Sequence, residues 1–128
     1  MKKEEYLLRL SMLEQEANKI EEQIGIINQQ ISELEVLKLS LKNLSRTEEK
    51  EVLAPLGRGI FFKSELKEKE LFVNVGREVV VKKSPEETAE IIEVQVSQMR
   101  AIKEHLISNI TEVRMQLEDV VEQARQEN

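Results

Sequence analysis

No cysteine occurs anywhere in the sequence, which excludes disulfides, thiolate metal sites and cysteine nucleophiles and fits a reducing, cytoplasmic setting. There is no tryptophan, aromatics make up only 3% of residues, and charged residues make up 34%. That balance is poor for a compact globule and common in long solvated helices. A single histidine, His105, falls one position before an apolar seam residue on the outward side of a helix. With no second histidine or cysteine to support it, it reads as solvated, and no metal site is expected. The balance of charge is acidic, −6, and Lys82-Lys83 is the only lysine pair beyond the N-terminus, so the phosphate-binding patch of a nucleic-acid binder is missing. No window approaches 18 uncharged residues, so no membrane span is expected. The start, MKKEEYLLRLSMLEQEANK, puts acids directly after two lysines and has no seven-residue apolar run, so no signal peptide is expected.

What is present begins with a seven-residue rhythm. Tyr6, Leu10, Leu13, Ala17, Ile20, Ile24, Ile27, Ile31, Leu34, Lys38 and Leu41 follow alternating steps of three and four. Five such heptads, with Glu, Gln, Lys and Asn between them, read as a coiled-coil helix over residues 4–45. Lys38 alone breaks the seam, and Leu37 with Leu44 offers a shifted continuation. Gly25 stands beside the seam, where it costs about 1 kcal/mol of helix propensity and leaves the pattern intact. A second seam, Ala89, Ile92, Val96, Met99, Lys103, Leu106, Ile110, Val113, Leu117, Val120 and Ala124, marks a helix over residues 85–126. Ser84-Pro85-Glu86-Glu87 announces its start with a capping serine, a proline at the first helical position and a glutamate three residues after the cap. Helices of such length rise on the order of 55–60 Å. Their equal lengths favour an antiparallel hairpin within one chain, although periodicity alone also admits a parallel dimer.

Between the helices, residues 51–83 change period from seven to two. This stretch and the cap that follows hold all three phenylalanines, both prolines and three of the four glycines. Val52, Ala54 and Leu56 alternate, Gly57-Arg58-Gly59 turns the chain, and Ile60, Phe62 and Leu66 share a face of the next strand. Lys67-Glu68-Lys69-Glu70 reads as a charged turn. Leu71, Val73 and Val75 alternate again, Gly76-Arg77 turns, and Val79 and Val81 close the set. Four short strands result, two hairpins in tandem. Leu53, Phe61, Phe72 and Val80 fall on the opposite face, so a sheet of four strands is apolar on both sides. A thin helix pair cannot cover both. The insert therefore reads as an assembly element, and Leu53, Leu56, Ile60, Phe61, Phe62, Leu71, Phe72, Val73 and Val80 are its candidate contact residues.

The chemistry of catalysis has little support. Gly57-x-Gly59 lacks the third glycine and the lysine of a phosphate cradle and precedes a strand, so it is a tight turn. The many carboxylates lie on solvated helical faces, and no acid pair stands out. A non-enzyme with no cofactor is expected. A binding role fits the chain ends better. Leu7, Leu8 and Met12 near the start, and Met115 and Val121 near the end, lie off the seams, and an antiparallel hairpin brings the two groups together. With the seam residues Tyr6 and Val120 they form the candidate binding set, and methionine offers an adaptable surface to varied partners. Ile26, Val36, Leu39, Ile91, Val94 and Ile107 are also off the seams, so enrichment at the ends is slight and incidental hydrophobes on a long helix are the alternative.

The order helix, LAPLGRGIFFKSEL, LFVNVGREVVVKKSPEE, helix resembles the α class of prefoldin subunits. The similarity covers the whole chain, and its specificity lies in residues 53–88. There a Pro-Leu-Gly-x-Gly turn, Pro55 to Gly59, precedes an aromatic strand, and a Val-Gly turn at Val75-Gly76 precedes a valine-rich strand. Two hairpins distinguish the α class from the β class. Arg58 and Arg77 depart from the pattern, occupying turns where small residues are common in the family. The resemblance implies one prefoldin-like domain, mainly α with a β insert, whose hairpins join those of β-type subunits in an intersubunit β-barrel of an α2β4 hexamer. It further implies an ATP-independent holdase that captures unfolded polypeptides at coiled-coil tips and passes them to a cytosolic group II chaperonin. Some α-related archaeal subunits polymerise into filaments instead. A scaffold of the same fold without client transfer, or a coiled-coil adaptor for one folded partner, are the alternatives.

Overall fold

In the computed structural model, which describes residues 2–127, two long helices flank four short strands. Helix α1 runs Lys3–Arg46, strand β1 Glu51–Gly57, β2 Ile60–Glu65, β3 Leu71–Asn74, β4 Val80–Lys83 and helix α2 Pro85–Gln126. The chain divides into two compact units, one of α1 up to Glu33 with α2 from Val96 onward, the other Leu34–Gln95.

The first unit is built by the seams. Tyr6, Leu13, Ala17 and Ile20 of α1 form one buried cluster with Ile110, Val113 and Val120 of α2, and Leu10, Ile24, Leu106, Leu117 and Ala124 pack against it. Every one of these is a seam position, because a 3.6-residue helix presents only that stripe to its neighbour. Each fully buried aliphatic side chain contributes roughly 1.5–3 kcal/mol of transfer free energy. The direction follows from cross-helix polar contacts. The Tyr6 hydroxyl donates a hydrogen bond to the Glu127 carboxylate, which holds the phenol above its ordinary 10.0, and Arg114 pairs with Glu21. Rising numbers on α1 thus meet falling numbers on α2, and the two helices of one chain lie antiparallel.

In the second unit Leu41 and Ile92 are buried. Leu37 is exposed while Lys38 and Leu44 are half-buried, so the seam keeps its register through Lys38 and, of the shifted continuation, only Leu44 is drawn in. Lys38 is tolerated there because its ammonium group pairs with Glu93 of α2 at 2.7 Å and with Glu35 of its own helix at 2.9 Å. The start of α2 forms a complete capping box. The Glu87 N–H donates to Ser84 Oγ and the Ser84 N–H donates to Glu87 Oε1, both at 3.1 Å. Thr88, buried behind the cap, donates its hydroxyl to the Ser84 carbonyl at 2.8 Å. At the C-terminal end of α1, Lys69 donates to the carbonyls of Ser45, at 3.1 Å, and Thr47. A cation there satisfies carbonyls that have no intrahelical partner. The segment read as a charged turn therefore also caps a helix. Ser45 donates to the Glu86 carboxylate, which ties the end of α1 to the start of α2.

The strands do not merge into one four-stranded sheet. β1 pairs only with β2, and β3 only with β4, giving two separate antiparallel hairpins. In the first, Val52 faces Ser64 and Pro55 faces Phe61, then the register slips so that Gly57 meets Ile60. Leu56 is the extra residue of this bulge and breaks the alternation that linked it to Val52 and Ala54. The turn Arg58-Gly59 has positive φ at both residues, 50° and 79°, the twist that two-residue hairpin turns need. The second turn is more costly. Arg77 and Glu78, at 50° and 61°, occupy the left-handed region without a glycine between them. Val79 N–H closes the turn onto the Gly76 carbonyl at 2.9 Å, and Gly76 N–H donates to Asn74 Oδ1 at 2.9 Å. The reversal thus falls at Arg77-Glu78, one residue later than the Gly76-Arg77 pair that the sequence marked.

Two outcomes follow for these local devices. Ser84→Ala should cost about 1 kcal/mol and speed hydrogen exchange at residues 86–89; unchanged exchange there would contradict the cap. The Glu87 carboxylate is held below its ordinary 4.5, chiefly by the Ser84 N–H and then by its hydroxyl. A carboxylate depressed on folding stabilises above its unfolded value, and that contribution fades as pH falls through the folded value. Protection of the first-turn amides of α2, relative to their intrinsic exchange at each pH, should therefore fall below pH 4.5 in the parent and show no such step in Glu87→Gln. In the second hairpin, Glu78→Gly should relieve about 1 kcal/mol of left-handed strain and slow exchange of the Val75 and Val79 amides. Faster exchange would show that chain entropy outweighs the strain.

Candidate functional site

Exposed apolar side chains lie on the hairpins, at the helix ends of the first unit and singly along both helices, as at Ile26, Val36, Leu39, Val94 and Ile107. On the hairpins, Leu53, Leu56, Ile60, Phe61, Phe62, Phe72 and Val80 are all exposed, Leu56 and Phe72 by more than two thirds of their area. Leu71 and Val73 are half-buried, as are Val52, Ala54, Ser64, Leu66 and Val81. Each hairpin thus has one face partly covered within the unit and one face open. The open face of the first carries Leu53, Pro55 and Phe61. The open face of the second carries Phe72 and Val80. Lys82, the cross-strand partner of Phe72, lies 5.8 Å above its ring and reaches toward Glu70 at 3.9 Å. Among the described residues neither hairpin is flanked by a third strand, so all four strands leave backbone donors and acceptors unpaired along an edge.

The helix ends of the first unit carry the second surface. Leu7, Leu8 and Met12 are exposed by 58%, 64% and 61%, Met115 by 60% and Val121 by 39%. Tyr6 and Val120 are placed differently from the expectation. They are 6% and 1% exposed, because both are seam residues whose side chains enter the core, so neither offers a surface. The structure also separates Met115 from the rest. The Tyr6–Glu127 contact and the facing of Ile20 and Val113 put Met115 level with about residue 18 of α1, roughly 9 Å along the helix from Met12. The end cluster is therefore Leu7, Leu8, Met12 and Val121. Farther along, Ile26, Ile27, Ile102 and Leu106 line a groove of about 380 Å³ with Gln23 and Gln30 at its edges. Ile26 and Ile102 are about half exposed.

Chemistry beyond apolar contact is sparse. Among the described residues no group of three His, Cys, Asp or Glu is placed to hold a metal ion, and no helix is long and apolar enough to cross a membrane. His105 is exposed. A groove of about 560 Å³ is lined by Glu49, Lys50, Glu51, Val52, Leu53 and Lys63 and offers mostly charged side chains. Hydrogen-bonded polar groups cluster at the helix caps, where they serve the backbone. What the surfaces can do is cover and be covered by apolar groups.

Comparison with known proteins agrees with this architecture. The family model for prefoldin subunits matches residues 13–128. A prefoldin subunit alpha from Methanosphaera stadtmanae is 30% identical over 92 residues, 72% of this chain and 67% of that protein. One from Thermofilum pendens is 27% identical over 112 residues, 86% of this chain and 87% of that one. Among solved structures, the filamentous PFD of Methanocaldococcus jannaschii superposes with a TM-score of 0.52 at 22% identity, covering 94% of this chain and 95% of that one. A match over nearly the whole length, on two antiparallel helices joined through two separate hairpins, makes the chain a member of the prefoldin family, with sequence similarity to its alpha subunits.

Proposed function

We propose that the chain is the α-type subunit of a prefoldin-type chaperone that holds unfolded polypeptides without nucleotide. The observation that carries this reading is the pair of open apolar surfaces on a molecule whose core is already complete. Leu7, Leu8, Met12 and Val121 are exposed where the helix ends meet, although the seam beneath them is fully packed. Exposed aliphatic and methionine side chains suit transient contact with apolar segments of many sequences. Several such ends in one particle bind one client by avidity, with no single strong contact. The open hairpin faces serve assembly. Their edges pair with hairpins of other prefoldin subunits, for which β-type partners in an α2β4 hexamer are the family pattern, and the assembled particle hands its client to a group II chaperonin in the cytoplasm.

A second reading is favoured by one observation, the fold similarity to a filamentous prefoldin. In it the same open hairpins join copies of this chain into a filament or scaffold. The two readings separate by size. Mixed with a β-type subunit, the chain should form a particle of fixed mass; growth in light scattering with concentration of the chain alone would mark the filament.

Replacing Phe61 and Phe72 together by serine should yield smaller species at unchanged far-UV helicity, and an unchanged particle size would remove the hairpins from assembly. Truncation to residues 14–115 removes Leu7, Leu8, Met12 and Val121 while leaving the hairpins whole. The assembled truncation should lose most of its suppression of aggregation of an unfolded protein, with or without ATP. Retained suppression would place the client elsewhere on the particle.

A further inference from the structure

We propose that Lys38, with Glu93 and Glu35, is the device that makes α1 choose α2 and reject a second α1. An apolar seven-residue seam is nearly indifferent to its partner. It packs on another copy of itself, or on the correct partner slid by one heptad, with its apolar positions still matched. Lys38 stands at a seam position, with its side chain 19% exposed. There its ammonium group lies 2.7 Å from Glu93 across the interface and 2.9 Å from Glu35. Both carboxylates hold the lysine above its ordinary value, Glu93 the more strongly.

The arrangement has direction. Parallel pairing of α1 with a second copy sets Lys38 against Lys38 in the seam, two like charges in a partly dried site with no cross-helix carboxylate. The second seam carries its own lysine, Lys103, half-buried at the same kind of position, so parallel pairing of α2 with itself meets the same repulsion. Sliding the correct pair by one heptad puts Lys38 level with Arg100 in one direction. In the other it meets Glu86, which in the observed register accepts a hydrogen bond from Ser45. Of these arrangements only the antiparallel, unshifted pair of α1 with α2 gives Lys38 its two carboxylates while keeping the Ser45–Glu86 bond. A single lysine at such a position is known chemistry for fixing partner and register at some cost in stability. The periodicity that left a parallel dimer open is thus resolved by the residue that interrupts it.

The absence of cysteine gives a clean test on the full chain. Leu34→Cys puts one thiol in the seam four residues from Lys38, where a parallel α1–α1 pair brings two copies within disulfide distance and the hairpin does not. Val36→Cys puts the thiol on the outer face at nearly the same level. Under mild oxidation, adding Lys38→Leu should raise the initial rate of covalent dimer formation at Leu34→Cys by at least about threefold, the factor set by loss of an interaction of ion-pair size. The rate at Val36→Cys should not change. No increase at Leu34→Cys, or an equal increase at both sites, would overturn the proposal. Charge reversal gives a second readout. Glu35→Lys with Lys38→Glu sets a carboxylate in the α1 seam against Glu93 and should dimerise faster than the parent in the Leu34→Cys background. Adding Glu93→Lys should restore the slow rate. Failure of the third substitution to restore it would show that the cross-helix pair does not set the choice.

Discussion

Burial of two narrow stripes against each other is the constraint on which the structure rests. A seven-residue repeat places only two positions of every seven at the interface, so the helix pair gains its cohesion from residues such as Ile20, Val113 and Val120 and leaves the other faces in water. Among the described residues no second layer receives further apolar side chains. This explains the high share of charge and the near absence of aromatics. It also explains why the three phenylalanines cannot be buried by the chain alone. Phe61, Phe62 and Phe72 sit on two-stranded hairpins, and a hairpin has no interior.

Where a core is missing, polar bonds at helix ends take over the work of positioning. The turn into α2 is fixed by Ser84 and Glu87 reaching across each other. The end of α1 is held by Lys69 on the carbonyls of Ser45 and Thr47 and linked to α2 through Glu86. These are exposed bonds of modest individual strength. Their geometry is nonetheless specific, since each satisfies a backbone group that a helix terminus leaves without a partner. Lys38 belongs with them, although it lies in the seam: its pairing with Glu93 converts a stability cost into a choice of partner.

The proposed function gives both open surfaces a purpose. A chaperone that works without nucleotide needs apolar contacts that are accessible, weak and repeated. Under the proposed function, the aliphatic and flexible surface on the helices and the aromatic, edge-rich one on the hairpins suit two different tasks, holding a client and joining subunits.

The heptad pattern by itself determined which residues form the core. Each seam position from Tyr6 to Leu41 and from Ala89 to Ala124 is buried or half-buried, because helical geometry admits one stripe per partner. The capping box was equally legible, since all of its atoms come from four consecutive residues. The strands were visible from alternation and turn residues, but their pairing was not. Backbone hydrogen bonds carry no side-chain signature, so a single four-stranded sheet and two separate hairpins read alike. The bulge at Leu56 and the left-handed Arg77-Glu78 turn were hidden for the same reason. Tertiary structure alone decided the contacts between residues far apart in the chain. Lys69 on the end of α1, Glu93 on Lys38, and Arg114 on Glu21 all depend on which residues folding brings level. Charged side chains at long separation show no periodicity from which that could be read.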